Sequence, residues 1–297
     1  MRWTFFINPA SRGGRTGRRV EHISLLIRGR FPDAEILVPG SAADLQTQIR
    51  EASFRSERLG VLGGDGTFSH ALAGLMEGNR RTCALALLHQ GRGGDFLNAF
   101  KAPRCLGPAL DRVRQAEPTL CDCGRITTTA GTRYFINVAS VGLGGAVDGF
   151  VKRHPWPLPA TLLYFFAALS ESFRYRSPRL LLSTDGRTWD RPFLVAVAAN
   201  GRYFGGSMHI SPDSHLDDGR LDLVALPAWR HPRLLWLAAL VYAGRHIRHR
   251  EALNVQFSEL TVEAPDGEAV PIDVDGECYG TLPARIEIIP GAFLLAV

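Results

Sequence analysis

A chain of 297 residues that is 45% hydrophobic can bury a substantial core, and its length accommodates one large domain or two ordinary ones, two being the expectation. Five cysteines (Cys83, Cys105, Cys121, Cys123 and Cys278), an odd number with no CxxC pair, suggest neither a disulfide framework nor a four-ligand zinc site. The formal net charge of +5 comes almost wholly from arginine, Lys101 and Lys152 being the only lysines; such a surface suits phosphate, anionic lipid or nucleic acid, although a GC-rich coding sequence produces the same bias.

In chain order, "RWTFFIN" reads as a strand, "RTGRRVEHISLLIRGRF" as a helix, "AEILVP" as a strand and "AADLQTQIREASF" as a helix. "RLGVLGG" follows as a strand, "SHALAGLMEG" as a helix and "TCALALLHQG" as a strand. Alternating strands and helices imply parallel pairing through right-handed crossovers, hence an open α/β sheet with ligands at the carboxyl ends of its strands. Beyond about residue 125 the texture changes to short β-rich runs divided by turn dipeptides such as Asp185-Gly186 and Asp266-Gly267, interrupted by helices near Ala160 to Tyr175 and Pro232 to Arg250. The expected division is an α/β nucleotide-binding domain over 1–125, completed by a last strand at 289–297, and a β-rich, sandwich-like domain over 126–288, with a cleft between them.

Three strand ends in the first half run into glycine-rich loops. "VLGGDGTFSHAL" places Gly63, Gly64, Asp65, Gly66 and Thr67 between a strand and a helix, where main-chain amides and a helix N-terminus can meet phosphate oxygens. A carboxylate there repels phosphate, so Asp65 requires a cationic partner, a magnesium ion or a substrate hydroxyl; a tight turn with Asp as a local cap is the competing reading. "INPASRGGRTGRR" begins at Asn8-Pro9 and carries Arg12, Arg15, Arg18 and Arg19. "LHQGRGGDFLNAF" repeats the pattern at Gly91, Arg92, Gly93 and Gly94, with Asp95 at a helix start, where it serves equally as a plain N-cap.

The second half holds two acidic loops. "PIDVDGECYG" is both a hairpin turn and a mount for Asp275 and Glu277, which together with Asp65 of the first half are the candidates to accept the proton of an attacking hydroxyl. "SPDSHLDDGRLDL" brings Asp213, Asp217, Asp218 and Asp222 together around Gly219, an oxygen-rich loop that suits a hard cation or is simply a solvated turn.

"NPAS", "GGDGT" and "GRGGDF", in this order and spacing, resemble the catalytic domain of the diacylglycerol and sphingosine kinase superfamily. "INVASVGLGGAV", "AANGRYFGGSMHISPDSHLDDGRLDLV" and "VDGECYG" extend the resemblance over essentially the whole chain, to the two-domain bacterial diacylglycerol/lipid kinase family. GGDGT alone is shared with NAD kinases; the joint set is specific. The resemblance implies ATP and Mg2+ as cofactors and a lipid hydroxyl as acceptor. Asn8, Gly63, Gly64, Asp65, Gly66, Thr67, Gly91, Arg92 and Gly93 fall in the nucleotide loops. Glu277 matches the general base, and Asp218 a side-chain magnesium ligand beside the main-chain carbonyls of His215 and Arg220. The chain departs from the family pattern at Arg92 and Gly94, where Thr or Ser and then Asn are usual, at His70, where Glu is common, and at Pro39-Gly40, where Thr is usual.

The N-terminal apolar run is too short for a signal peptide, and "LPATLLYFFAAL" and "LLWLAALVYAG" fall short of a bilayer span, so a cytoplasmic protein is expected. Transient contact with the inner face of the membrane would come through "RHPRLLWLAALVYAGRHIRHRE" or "WPLPATLLYFFAALSESFRYR", segments that also suit packing on their own sheet. A homodimer is allowed for. Nucleic acid is not expected as a partner, the arginines being dispersed and without an aromatic-basic platform. Two other functions compete with lipid kinase: a kinase of a soluble acceptor such as NAD, and a nucleotide- or lipid-binding regulator without turnover.

Overall fold

The structure, a computed structural model, describes residues 1–78, 82–91, 94–154, 160–228 and 231–297; of residues 148, 152, 160–161, 172–174, 231–235 and 238 only the backbone is described. The chain divides into two compact units, Met1–Asp122 with Gly291–Val297, and Cys123–Pro290.

The first unit runs β1 (Trp3–Ile7), α1 (Val20–Arg28), β2 (Glu35–Leu37), α2 (Ala42–Ala52), β3 (Arg58–Gly63), α3 (Asp65–Gly78), β4 (Ala84–His89), α4 (Asp95–Asn98) and α5 (Leu106–Gln115). β1, β3 and β4 are buried along their whole length, the pattern of strands covered on both faces. β2 pairs with β1, β1 with β3 and β3 with β4, all parallel, so every loop that follows these strands lies on one sheet edge. One face carries α1 and α5 over Trp3, Phe5, Ile7 and Leu88; Trp3 stacks on Phe5, and the Phe31 ring packs tilted against both, all within about 5 Å. α2 and α3 pack together, and at Gly74 an added Cβ would lie 2.5 Å from the Gln46 carbonyl oxygen. α1 begins later than its periodicity suggests, at Val20. Gly17 packs on Pro9 and turns residues 17–19 into a 3-10 turn, which lengthens the loop after β1.

The second unit contains β5 (Thr119–Thr128, shared with the first unit), β6 (Gly131–Phe135), β7 (Val138–Gly142), α6 (Leu143–Arg153), α7 (Ala160–Arg174), β8 (Arg179–Thr184), β9 (Arg187–Ala199), β10 (Leu221–Pro227), α8 (His231–Tyr242), β11 (Leu253–Phe257), β12 (Glu259–Glu263), β13 (Pro271–Val274), β14 (Glu277–Thr281) and β15 (Ala284–Ala296). The end of β15 pairs parallel with β4 through Leu294 to Ala296 and belongs to the first unit. β9 serves two sheets: residues 187–192 pair with β8, residues 195–199 with β7 and β10. The core between the sheets gathers Phe135, Leu182, Phe193, Leu223, Phe257 and Ile272, all at 0% exposure, which makes the unit a sandwich. The β8–β9 hairpin turns at Asp185 (φ 45) and Gly186 (φ 76), the paired positive φ values of a type I′ turn.

Two elements depart from the periodicity reading. α6 lies within "GLGGAVDGFVKR", whose glycines hide its helical spacing; Gly145 is small because Pro271 packs 3.0 Å from where its Cβ would stand. α8 ends at Tyr242, well before Arg250, because Gly244 takes a left-handed φ of 64 with His209 against it. His246, fully buried beyond this point, donates from Nε2 to the Ile210 carbonyl at 2.8 Å, and burial holds its pKa below the ordinary imidazole value.

Gly74→Ala is expected to destabilise the first unit by about 1–3 kcal/mol, because backbone rather than a movable side chain blocks the new methyl group. Urea unfolding checks this; a variant as stable as the native chain would mean that α2 and α3 separate without cost.

Candidate active site

In the first unit three loops are bound to one another by main-chain and short side-chain contacts. Asn8 closes β1: its amide donates to the Leu62 carbonyl at 3.1 Å, and its Oδ1 accepts from the Ala10 amide at 3.0 Å. Its Nδ2 donates to Thr67 Oγ1 at 2.8 Å, clipping the first loop to the opening turn of α3. Gly63 has no space for a Cβ beside the Thr67 side chain, and a Cβ on Gly91 would stand 2.7 Å from the Gly64 Cα, so the second and third loops touch backbone to backbone. The Gln90 amide donates to the Gly63 carbonyl at 2.7 Å across the same junction.

Asp65 begins α3, and its carboxylate faces the third loop. Oδ2 accepts from the amides of Gly94 (2.9 Å) and Asp95 (3.1 Å), and Oδ1 from that of Phe96 (3.1 Å). The short helix α4 is therefore capped from another loop by Asp65 and not by Asp95, its own first residue. This answers how a carboxylate can sit in a phosphate-type loop: its charge faces three N–H dipoles, and the first-turn amides of α3, which includes Gly66, retain their positive potential. Gly94 adopts a φ of 84, and a Cβ there would lie 2.6 Å from the His89 ring, so the imidazole occupies the space that a side chain at 94 would need. His89 is 7% exposed with a buried, unpartnered Nδ1; burial lowers its pKa, Asp65 opposes that, and Arg104 and Arg12 add to it, so it is neutral at pH 7. Arg92 and Gly93 lie outside the described residues.

In the second unit the same device recurs. Asp275 (φ 50) and Gly276 (φ 85) form the two-residue turn between β13 and β14. The Asp275 carboxylate, 7% exposed, accepts from the amides of Ile136, Asn137 and Val138 at 3.0, 3.0 and 2.9 Å, while its own amide donates to the Val138 carbonyl. The hairpin tip is thus fastened to the β6–β7 junction. Glu277, next on β14, is half-buried and meets the Arg133 guanidinium at 2.6 Å; that guanidinium also lies over the Tyr279 ring. The two acids that the sequence left interchangeable have separated: Asp275 holds main chain, and Glu277 is presented beside a cation. Arg133 carries no sequence signal, since an arginine in an alternating hairpin strand reads as a solvated residue.

The acidic loop is arranged differently from a side-chain cage. Asp218 is exposed, its Oδ1 accepts from the Arg220 amide and its Oδ2 from Gln256 Nε2, both at 3.0 Å, and Gly219 makes the turn at φ 70. His215 and Asp217 are exposed. Asp222 is buried against the Ser214 hydroxyl, which donates to it at 2.8 Å; burial raises its pKa. Among the described residues no group of three or more His, Cys, Asp or Glu side chains gathers to hold a metal.

Residues 2–126 match the model of the diacylglycerol kinase catalytic domain, and residues 137–297 that of the YegS C-terminal NAD kinase beta sandwich-like domain. A diacylglycerol kinase of Mycobacterium tuberculosis is 27% identical over 293 residues, covering 97% of this chain and 93% of that protein. A "Probable lipid kinase YegS-like" of Stenotrophomonas maltophilia is 26% identical over 298 residues, covering 98% and 94%. The crystal structure of a diacylglycerol kinase from Bacillus anthracis superposes with a TM-score of 0.79 at 20% identity, covering 99% of this chain and 96% of that one, and shares the fold. The chain belongs to the family of two-domain diacylglycerol and YegS-like lipid kinases.

Asp275→Ala is expected to destabilise the second unit by about 3 kcal/mol or more, because three buried amides lose their acceptor. Glu277→Ala, which breaks a partly exposed pair, is expected to cost less than about 1 kcal/mol. Chemical denaturation of the two variants separates the mounting residue from the presented one. A second expectation concerns pH. His89 and His246 have folded pKa values below the 6.5 of the unfolded chain, so the unfolded state binds more protons as pH falls below 6.5. Stability should be full above that pH and decline through the folded values. Thermal unfolding between about pH 7.5 and 5 checks it, with His246→Gln showing a shallower decline.

Proposed function

We propose that this chain is an ATP-dependent lipid kinase that transfers the γ-phosphate to the hydroxyl of a diacylglycerol-like or sphingoid-like lipid. The observation that carries the reading is the mounted hairpin of the second unit, where Asp275 fixes the turn and the Glu277 carboxylate meets the Arg133 guanidinium. Family membership supports the kinase class.

The first unit supplies a fitting cradle for nucleotide phosphates. The Gly63–Gly64 backbone, the α3 N-terminus and the Gly91 backbone form a surface without protruding side chains, and the acid within it is already neutralised by amides. Magnesium, when bound, would supply charge neutralisation for the transferring phosphoryl group. Asp218, exposed and with the main-chain carbonyls of His215 and Arg220 as its companions, would hold such an ion with a single carboxylate. In the transfer the lipid hydroxyl oxygen bonds to the γ-phosphorus as the bond to the β,γ-bridging oxygen breaks. Its proton passes to a Glu277 oxygen, and Arg133 holds that carboxylate in position.

Access to a membrane acceptor is read from α7 and α8. Ala167 of α7 and Leu237 and Val241 of α8 are buried in one cluster and Leu163 of α7 is buried as well, whereas Leu162, Phe166 and Trp236 remain 46%, 46% and 51% exposed. Exposed Arg245, Arg248 and Arg250 follow α8, a combination that suits an anionic interface. No helix among the described residues is long and apolar enough to cross a membrane.

Transfer from labelled ATP with magnesium to lipids in mixed micelles tests the reading. Glu277→Gln is expected to lower kcat by about 10²–10⁴-fold while nucleotide affinity is retained. Transfer to NAD but to no lipid, or nucleotide binding without transfer, would replace it by one of the two competing functions. Phe166→Ser with Trp236→Ser is expected to slow phosphorylation of lipid in anionic vesicles several-fold while leaving a short-chain monomeric acceptor unaffected.

A further inference from the structure

The first unit contains a cavity of about 310 Å³ that none of Asn8 and Gly63 to Thr67 lines. Arg12, Arg19 and Arg104 reach it, and no carboxylate is among its lining residues. None of the three guanidinium groups forms an ion pair with a described acid; Arg104 has one hydrogen bond, to Asn98 Oδ1 at 3.2 Å. Three like charges around one small volume repel each other unless an anion joins them. Arg12 is held at a φ of 55, a conformation that costs a non-glycine residue on the order of 1 kcal/mol and is retained where the surroundings require it.

Two further observations point the same way. Gln90, 7% exposed, lines the cavity. α5, ten residues long, opens at the cavity through Cys105, Leu106 and Gly107, with no side-chain cap and no acid in its first turn. A positive helix end, three guanidinium groups with no ion pair among the described residues and the Gln90 side chain meet at one half-open cavity.

We propose that this cavity binds a phosphate-bearing anion, at a site that takes Arg12 and Gln90 from the first and third loops but that neither Asn8 nor Gly63 to Thr67 lines. Arg12, Arg19 and Arg104 neutralise the charge, and Gln90 donates from its amide. The ligand chemistry is that of a small phosphate or pyrophosphate group, which a free anion or a lipid headgroup can supply. Because Gln90 precedes Gly91 and Arg12 lies in the loop after Asn8, an occupant would tie both loops in place.

Isothermal titration of the full chain with inorganic pyrophosphate, at constant ionic strength and with ADP present to fill the Gly63 to Thr67 loop, tests the site. One equivalent is expected to bind, with affinity at least about tenfold weaker in the Arg19→Gln, Arg104→Gln double variant. The native chain gives a second reading that needs no variant: alkylation of exposed Cys105 should slow about tenfold at a pyrophosphate concentration ten times its Kd, with Cys278 as the unaffected internal control. Phosphatidylcholine vesicles containing phosphatidic acid form the other arm. Protection of Cys105 by these vesicles but not by pyrophosphate, lost in the double variant, supports the site and names a lipid headgroup as its ligand. No saturable binding of either probe, binding unchanged in the double variant, or binding abolished by ADP overturns the proposal.

Discussion

A carboxylate that accepts from three consecutive main-chain amides is the interaction on which both halves of this protein depend. Asp65 does this for residues 94–96 and Asp275 for residues 136–138. Each acid satisfies amides that a loop would otherwise leave to water, and each does so across a long sequence separation, so a flexible loop becomes part of a rigid frame. Short charge-assisted bonds of this kind are directional, and three of them fix the position of a backbone segment more closely than apolar packing does.

The electrostatic consequences follow from that use of charge. With Asp65 facing amides, the α3 N-terminus keeps its positive end available, and the glycines around it let neighbouring backbones approach. With Asp275 engaged in the same way, Glu277 is the acid left beside Arg133 at the hairpin. Burial keeps His89 neutral among arginines, so the cationic character of the first unit's loops comes from guanidinium groups, which do not titrate in the working range. The replacement of a larger residue by Gly94 has a steric counterpart in the same place, the imidazole of His89.

Much of the architecture was legible because it rests on local patterns. The alternation of buried strands with amphipathic helices announced the parallel sheet, and the Asp-Gly dipeptides at 185–186 and 275–276 marked type I′ hairpins, since φ > 0 at both positions selects those residues. Where glycine served tertiary packing, the pattern misled: α6 was hidden by small residues that let Pro271 approach, and α8 stopped at a glycine turned left-handed beside His209. Arg133, the Asp65 contact to the third loop and the arginine cavity were invisible, because each joins residues far apart along the chain.

By itself the sequence determined the kinds of group available and the elements that carry them: glycine loops at strand ends, acids in hairpin and turn, and a surface of arginine. Those follow from periodicity, turn chemistry and composition, which act over a few residues. Only the tertiary structure decided how the acids divide their work. Whether Asp65 meets phosphate or amides, and whether Asp275 or Glu277 is presented for chemistry, depends on which backbone segments arrive within 3 Å of each carboxylate. That arrival is set by the sheet pairings and packed helices of each unit, and no local run of residues encodes it.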